Sequence, residues 1–263
     1  MKRFFRQFGL ARAIARTGFG STDRLTLFLW SAYAYFADAL SLPPIAIKPT
    51  IRIFDAKYRV LLETLSDLWV FKDVLVDREY DLPDLPEVST VVDLGCNIGI
   101  SSLFFAARFP YARIYALEPN PAIAAQLRTN ASAAPNIVVH ELALADADGS
   151  VRFTTTGRAI SGAVVSGAAE GVVVNAVASE NLKGVLGIEQ IGLLKFDIEG
   201  AERHLFPEGI SALAPHVALG EMHYDLSGTT PEKIRENLAG YDIQERFIRG
   251  SERSIIYMCA RAQ

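Results

Sequence analysis

From residue 90 the chain repeats one pattern: a short apolar run, a turn, then an amphipathic stretch. The runs are "TVVDLG" (90–95), "ARIYALEP" (112–119), "NIVVHELA" (136–143), "IGLLKFDI" (191–198) and "HVALGEMH" (216–223). They are apolar with little alternation, as in parallel strands buried on both faces. Asn120 before Pro121 reads as an N-cap followed by a first-turn proline, so a helix follows the second strand. Thr230 and Pro231 repeat the device for a helix to about Ala239. "GSVRFTTT" (149–156) and "GVVVNAV" (171–177) predict two extra strands joined by the small-residue loop "SGAVVSGAAEG" (161–171). "YDIQERFI" (241–248) and "SIIYMCARA" (254–262) predict an antiparallel hairpin around "RGSE" (249–252).

Upstream the pattern changes. Residues 1 to about 40 read as helical, basic first and aromatic second. "LSLPPIAIKP" (40–49) breaks a helix and reads as a linker, and "IRIF" (51–54) as a short strand. "SDLWVFKDVL" (66–75) predicts a helix capped by Ser66, with Leu68, Phe71, Val74 and Leu75 on one face. The division expected is a helical extension over 1–50 and an α/β domain over 51–263.

Composition changes this picture little. A 263-residue chain, 50% hydrophobic and 21% charged, suits one large domain with an appendage. Charge is uneven. Lys2, Arg3, Arg6, Arg12, Arg16 and Arg24 oppose Asp23 alone over residues 1–24, a net of +5, and the total of −4 leaves −9 for the remainder. That argues against a nucleic-acid partner. The basic aromatic arm suits either an anionic membrane surface or packing against the main domain or a second copy. Its longest charge-free run, Leu25 to Ala37, is shorter than the roughly 20 residues a membrane span needs. Cys96 and Cys259 form no disulfide framework, which fits the cytoplasm, with contact at the inner membrane surface compatible.

Candidate chemistry concentrates at strand ends, where ligands bind in doubly wound sheets. "VVDLGCNIG" (91–99) turns on Gly95 and Gly99. The spacing is G-x-x-x-G, which differs from the pyrophosphate-cradling fingerprint and opposes an NAD-dependent oxidoreductase. Asp93 beside the turn would repel a pyrophosphate and suit a cationic or amine-bearing ligand. Glu118, ending the next strand, can accept ribose hydroxyl hydrogens. Together they suit a nucleoside with an amino-acid tail, S-adenosylmethionine. Bland alternatives stay open: Gly99 as helix packing, Glu118 as a helix cap. Ala143 falls where a backbone N–H could meet the adenine edge.

"LLKFDIEGAE" (193–202) crowds Lys195, Asp197, Glu199 and Glu202 at the end of an apolar strand. Buried charges are costly unless paired or functional. The alternative is a Lys195–Asp197 pair with solvated glutamates. Among four histidines, His223 follows the fifth strand, with Glu221 two residues earlier on the same side. His140, mid-strand, reads as a packed core residue, while His204 falls on the helix after "EGAE" and His216 begins a strand.

"VVDLGCNIG", "YALEPNP", "LLKFDIEGAE" and "LGEMHY", in this order, resemble the FkbM family of S-adenosylmethionine-dependent methyltransferases. The resemblance spans about residues 60–260. Cys96 departs from the family's usual alanine and reads as a small packing residue. The resemblance implies a class I methyltransferase fold, Rossmann-like, with a mostly parallel seven-stranded sheet and an antiparallel C-terminal hairpin. It also implies O-methylation of a hydroxyl on a sugar, glycan or related natural product. A catalytically silent S-adenosylmethionine-binding scaffold is the alternative. Cofactor contacts are expected from Asp93, Gly95, Cys96, Asn97, Gly99, Glu118, Pro119, Ala143 and Asp197. Catalytic roles are expected from His223, Asp197, Glu221 and Lys195, with His223 as base or acceptor-positioning group. Asp197, Glu199, Glu221 and His223 also suit a divalent metal such as Mg²⁺ or Mn²⁺, although no spacing demands one and no ligand is assigned.

Overall fold

The computed structural model describes residues 2–82, 85–155, 162–165, 171–206, 208–248 and 253–261. The arm is two helices, α1 (Lys2–Ala15) and α2 (Ser21–Leu40). The turn between them pairs with strand β1 (Thr50–Ile53): Phe19 N donates to Thr50 O at 2.9 Å and Arg52 N to Thr17 O at 2.8 Å. Strand β2 (Ala56–Arg59) folds back antiparallel on β1, so the single strand expected there is half of a hairpin. Helix α3 (Leu65–Phe71) is capped by Thr64, whose Oγ1 accepts from Asp67 N at 3.3 Å, so Ser66 lies inside the helix instead of capping it. The helix runs on as a π-helical turn over Lys72–Val76.

The α/β unit follows as β3 (Thr90–Leu94), α4 (Ile100–Arg108), β4 (Arg113–Leu117), α5 (Pro121–Ala131) and β5 (Ile137–His140). Asn120 caps α5 through its side chain and Pro121 opens it, as the sequence predicts. A second, four-stranded sheet holds β6 (Ala143–Ala145), β7 (Gly149–Thr155), β8 (Gly162–Val165) and β9 (Val172–Ala178) in the order β6-β9-β7-β8. "NIVVHELA" is thus two strands in two sheets, and β8 occupies part of the expected small-residue loop. The rest of that loop, 166–170, and the "RGSE" turn lie outside the described residues.

The chain then adds α6 (Ser179–Leu186), β10 (Leu193–Phe196), α7 (Glu208–Leu213), β11 (Val217–His223), α8 (Tyr224–Ser227), α9 (Pro231–Asn237), β12 (Tyr241–Phe247) and β13 (Arg253–Ala260). The main sheet has the order β12-β13-β11-β10-β3-β4-β5. Strands β11, β10, β3, β4 and β5 are parallel in succession, and β13 is antiparallel to both its neighbours. This is the class I methyltransferase sheet with its antiparallel hairpin. Chain direction across the sheet reverses between β3 and β10, which leaves a crevice beyond their carboxyl ends.

Strand alternation divides the core between the two faces. Val91, Ile114, Leu193 and Val217 pack on one side with Leu103, Phe104 and Phe105 of α4. Val92, Leu94, Leu194, Phe196 and Ala218 pack on the other with Leu182, Leu186 and Ile210 of α6 and α7. Ile14, Leu27 and Trp30 of the arm belong to the first layer, and Trp30 Nε1 donates to Ile45 O at 2.8 Å. Leu27→Ala is therefore expected to destabilise the whole chain by about 2–5 kcal/mol, the usual loss on emptying a core leucine site. Urea unfolding followed by tryptophan fluorescence and far-UV dichroism checks this. A loss well below 1 kcal/mol would show that the arm is not part of the core.

Candidate active site

The site is built where β3 and β10 end. Gly95 has φ of +70°, and a Cβ on it would sit 1.9 Å from the Asp197 carbonyl oxygen. Only glycine lets the two strand ends approach this closely. The N–H groups of Gly95 and Cys96 both donate to Leu117 O, at 3.0 and 3.1 Å, and so tie the turn to β4. Gly99, with φ of +88°, opens α4, and a Cβ there would collide with Leu127 Cδ1 at 2.5 Å. Its role here is helix packing. Cys96 is buried against Ala116 and Leu127. Burial, then the nearby Asp93 and Glu118 charges, hold its thiol well above the ordinary range, which disfavours the thiolate.

Asp93 is fully buried beneath the turn. Its Oδ2 accepts from the hydroxyls of Ser101 and Ser102, each at 2.7 Å, and its Oδ1 lies 3.2 Å from Lys195 Nζ. Lys195, 2% exposed, donates to Gly95 O at 2.9 Å and lies over the Tyr80 ring at 5.6 Å. Burial alone would lower the Lys195 pKa, but Asp93 and Asp197 outweigh it and raise it. This lysine is a fixed cation that pins β10 to β3.

Glu118 ends β4 and faces the crevice. Its Oε2 accepts from Asn97 N at 3.2 Å and its Oε1 from Asn120 N at 2.9 Å. Each oxygen keeps further acceptor capacity. Burial pushes its pKa up to about 7, against the pull of the Asn120 and Asn97 hydrogen bonds.

One cavity joins these features. Gly95, Cys96, Asn97, Glu118, Pro119 and Ala143 line one part, and Lys195, Asp197, Glu199 and Glu221 another. Asp93 and His223, both fully buried, and Gly99 lie one layer behind this lining. Sequence reasoning missed a third wall, with Trp69, Asp73, Glu79 and Tyr80. The available signal was acids on an otherwise apolar stretch, "WVFKDVLVDREY". Burial, then the charges of Asp197, Glu221 and Asp73, push the Glu79 pKa up to about 8.

The glutamates of "DIEGAE" differ in depth: Glu199 is partly exposed on the cavity wall, and Glu202 is buried. Glu202 is fully buried on the 3₁₀ turn Ala201–His204. It accepts from Ile198 N at 3.2 Å, Gly200 N at 2.7 Å and His223 Nδ1 at 3.0 Å. His223 Nε2 lies 3.3 Å from Glu199 Oε2, 3.8 Å from Glu221 Oε1 and 4.0 Å from Asp197 Oδ1. Burial would lower the His223 pKa, but Glu202, Asp197 and Glu199 push it up to about 9. Glu199 is raised to about 7, first by burial and then by Asp197. Burial and Asp197 raise Glu221 too, while His223 and Arg253, whose NH1 lies 3.5 Å away, pull it down. The arrangement favours a cationic ligand beside a graded set of proton acceptors.

Residues 93–243 match the Methyltransferase FkbM domain, and the chain belongs to that family. It is 21% identical to the hexuronic acid methyltransferase AglP of Haloferax volcanii, over 69% of this chain and 75% of that protein. It is 40% identical to the methyltransferase sdnD of Sordaria araneosa, over 20% of each. The match spans only 4% to 35% of the length of the first three curated relatives. Among solved structures, the fibrillarin pre-rRNA processing protein of Methanococcus jannaschii aligns over 84% of this chain and 90% of that one, at 14% identity and a TM-score of 0.49.

Glu79 generates a pH prediction. Its folded pKa of about 8 lies above the ordinary 4.5, so the folded state holds a proton that the unfolded state releases. Stability should therefore fall as pH rises from about 5 to 8. Glu79→Gln should flatten that slope in urea titrations across the range. An unchanged slope would show that Glu79 ionises normally.

Proposed function

We propose that the protein transfers a methyl group from S-adenosylmethionine to a hydroxyl of a sugar, glycan or related natural product. The observation that carries the reading is Glu118 facing a cavity whose opposite wall is acidic. The residues fit the cofactor. Glu118 accepts the ribose hydroxyl hydrogens, the Gly95 turn lets backbone approach the tail, and the Ala143 N–H meets the adenine edge. Bound there, S-adenosylmethionine supplies an electrophilic methyl carbon on a sulfonium. Asp197, Glu199 and Glu221 favour that positive charge. The bound group would supply the methyl carbon and leave as the thioether, and the chain's part would be to hold an acceptor hydroxyl beside that carbon and take its proton.

Holding the hydroxyl in line is the main contribution of the protein. Its proton passes to Glu199, which lines the cavity and has a pKa near the working range. His223 lies behind the lining and acts by positioning Glu199 and Glu221. Lys195 and Asp93 keep the strand ends together. Family membership and the AglP similarity support methyl transfer to a sugar-like acceptor.

The arm supports a site of action at an anionic membrane surface. Leu25, Leu29, Phe36 and Leu40 form an exposed apolar stripe along α2, between 47% and 66% exposed, and the sequence before α2 is basic. No helix among the described residues is long and apolar enough to cross a membrane. Cosedimentation with phosphatidylglycerol vesicles should be lost with Leu29→Glu and weakened by salt. Vesicle-independent dimerisation, abolished by the same substitution, would assign the stripe to a second copy.

Cofactor binding should depend on the Glu118 charge. Affinity for S-adenosylmethionine is expected to fall as pH drops below about 7, because a protonated Glu118 accepts less well. Glu118→Gln should weaken binding at pH 8 by about tenfold or more, with folding retained. Titration calorimetry at pH 6 and 8, paired with thermal melts, checks both. Unaltered affinity in the variant would remove Glu118 from the site.

A further inference from the structure

We propose that Asp197, Glu221 and His223 bind a divalent cation of the Mn²⁺ or Mg²⁺ class at the carboxyl ends of β10 and β11. One donor atom from each lies within 4.8 Å of the other two. Ligands beside one another on an ion at about 2.1 Å stand roughly 3 Å apart, and opposed ones roughly 4 Å. The Nε2 distances are 3.8 Å to Glu221 and 4.0 Å to Asp197, so one carboxylate can stand opposite the imidazole and the other would close by about 1 Å to stand beside it.

Carboxylates alone would not carry this inference. The deciding observation is His223, fully buried, whose Nε2 makes no hydrogen bond among the described residues although it stands 3.3 Å from Glu199 and among the carboxylates of Glu221 and Asp197. Its other nitrogen is committed. Glu202 Oε1 takes Nδ1 at 3.0 Å. A carboxylate only accepts, so Nδ1 carries a hydrogen, and the ion would take the place of any proton on Nε2. Metal-binding imidazoles are held in this way, with the outer nitrogen donated to a carboxylate. Glu202 is itself fixed by the backbone N–H groups of Ile198 and Gly200. The support is therefore built before any ion arrives.

Two carboxylates and one imidazole form a hard, oxygen-rich set that suits Mn²⁺ or Mg²⁺. Three protein ligands leave octahedral positions open toward the cavity, which Asp197 and Glu221 line. Resting on the proposed methyl transfer, the open positions would hold the acceptor hydroxyl, and the ion would make its proton easier to lose. Ion binding itself does not depend on that role.

The test is Mn²⁺ titration of the metal-free full chain, followed by electron paramagnetic resonance without cofactor. One Mn²⁺ per chain is expected, displaced by excess Mg²⁺, with nitrogen coupling from one imidazole. Asp197→Asn and Glu221→Gln, both at partly exposed positions, should each weaken binding by about tenfold or more. Glu180→Gln, at an exposed position on α6 away from the cavity, should bind Mn²⁺ like the wild type. Absence of stoichiometric binding, absence of nitrogen coupling, or unchanged affinity in both ligand variants would overturn the site. S-adenosylmethionine calorimetry on the same preparations separates the two claims. Cofactor binding without Mn²⁺ sinks only the ion site, and Mn²⁺ binding without cofactor sinks only the methyltransferase reading.

Discussion

The close contact between the ends of β3 and β10 is the constraint on which the site depends. Gly95 passes against the Asp197 carbonyl because it has no Cβ. Lys195 spans the same junction, bonded to Gly95 O and paired with Asp93. A buried pair of this kind contributes little net stability, yet losing one partner leaves an uncompensated charge. Its value here is geometric. It fixes where the turn, Glu118 and Asp197 stand relative to one another, and the crevice at the sheet reversal follows from that.

Around this junction the protein concentrates negative charge. Asp73, Glu79, Glu199 and Glu221 all have pKa values raised first by burial, with Asp197 adding to each. Such a cluster is unfavourable in the absence of compensating cations. Lys195 and Arg253 compensate in part, and His223 contributes either through its own proton or as a ligand of the proposed ion. A sulfonium ligand, and an ion at Asp197, Glu221 and His223, would complete the compensation. The same field explains why the cofactor favoured here carries positive charge at its reactive centre.

Much of this was legible in the sequence. The five apolar runs, the Asn120–Pro121 start and the terminal hairpin give the sheet, because strands buried on both faces leave an unambiguous pattern. The strand-end residues of "VVDLGCNIG", "YALEPNP" and "LLKFDIEGAE" do meet at one cavity. What could not be read was depth. Asp93, Gly99 and His223 sit one layer behind the lining because Ser101, Ser102, Leu127 and Glu202 claim them, and those contacts cross between elements. Asp73 and Glu79 were missed because α3 and its π-helical turn fold over the crevice from far upstream. Thr64 displaced Ser66 as the cap because Asp67 answers Thr64 reciprocally, a local choice that spacing alone does not decide.

The central claim is that this crevice is an S-adenosylmethionine site. Its most direct test is isothermal titration of the folded full chain with S-adenosylmethionine and, in parallel, with NAD. One S-adenosylmethionine should bind per chain, with no heat of binding for NAD. Folded protein that takes up no S-adenosylmethionine, or binds NAD in its place, would contradict it.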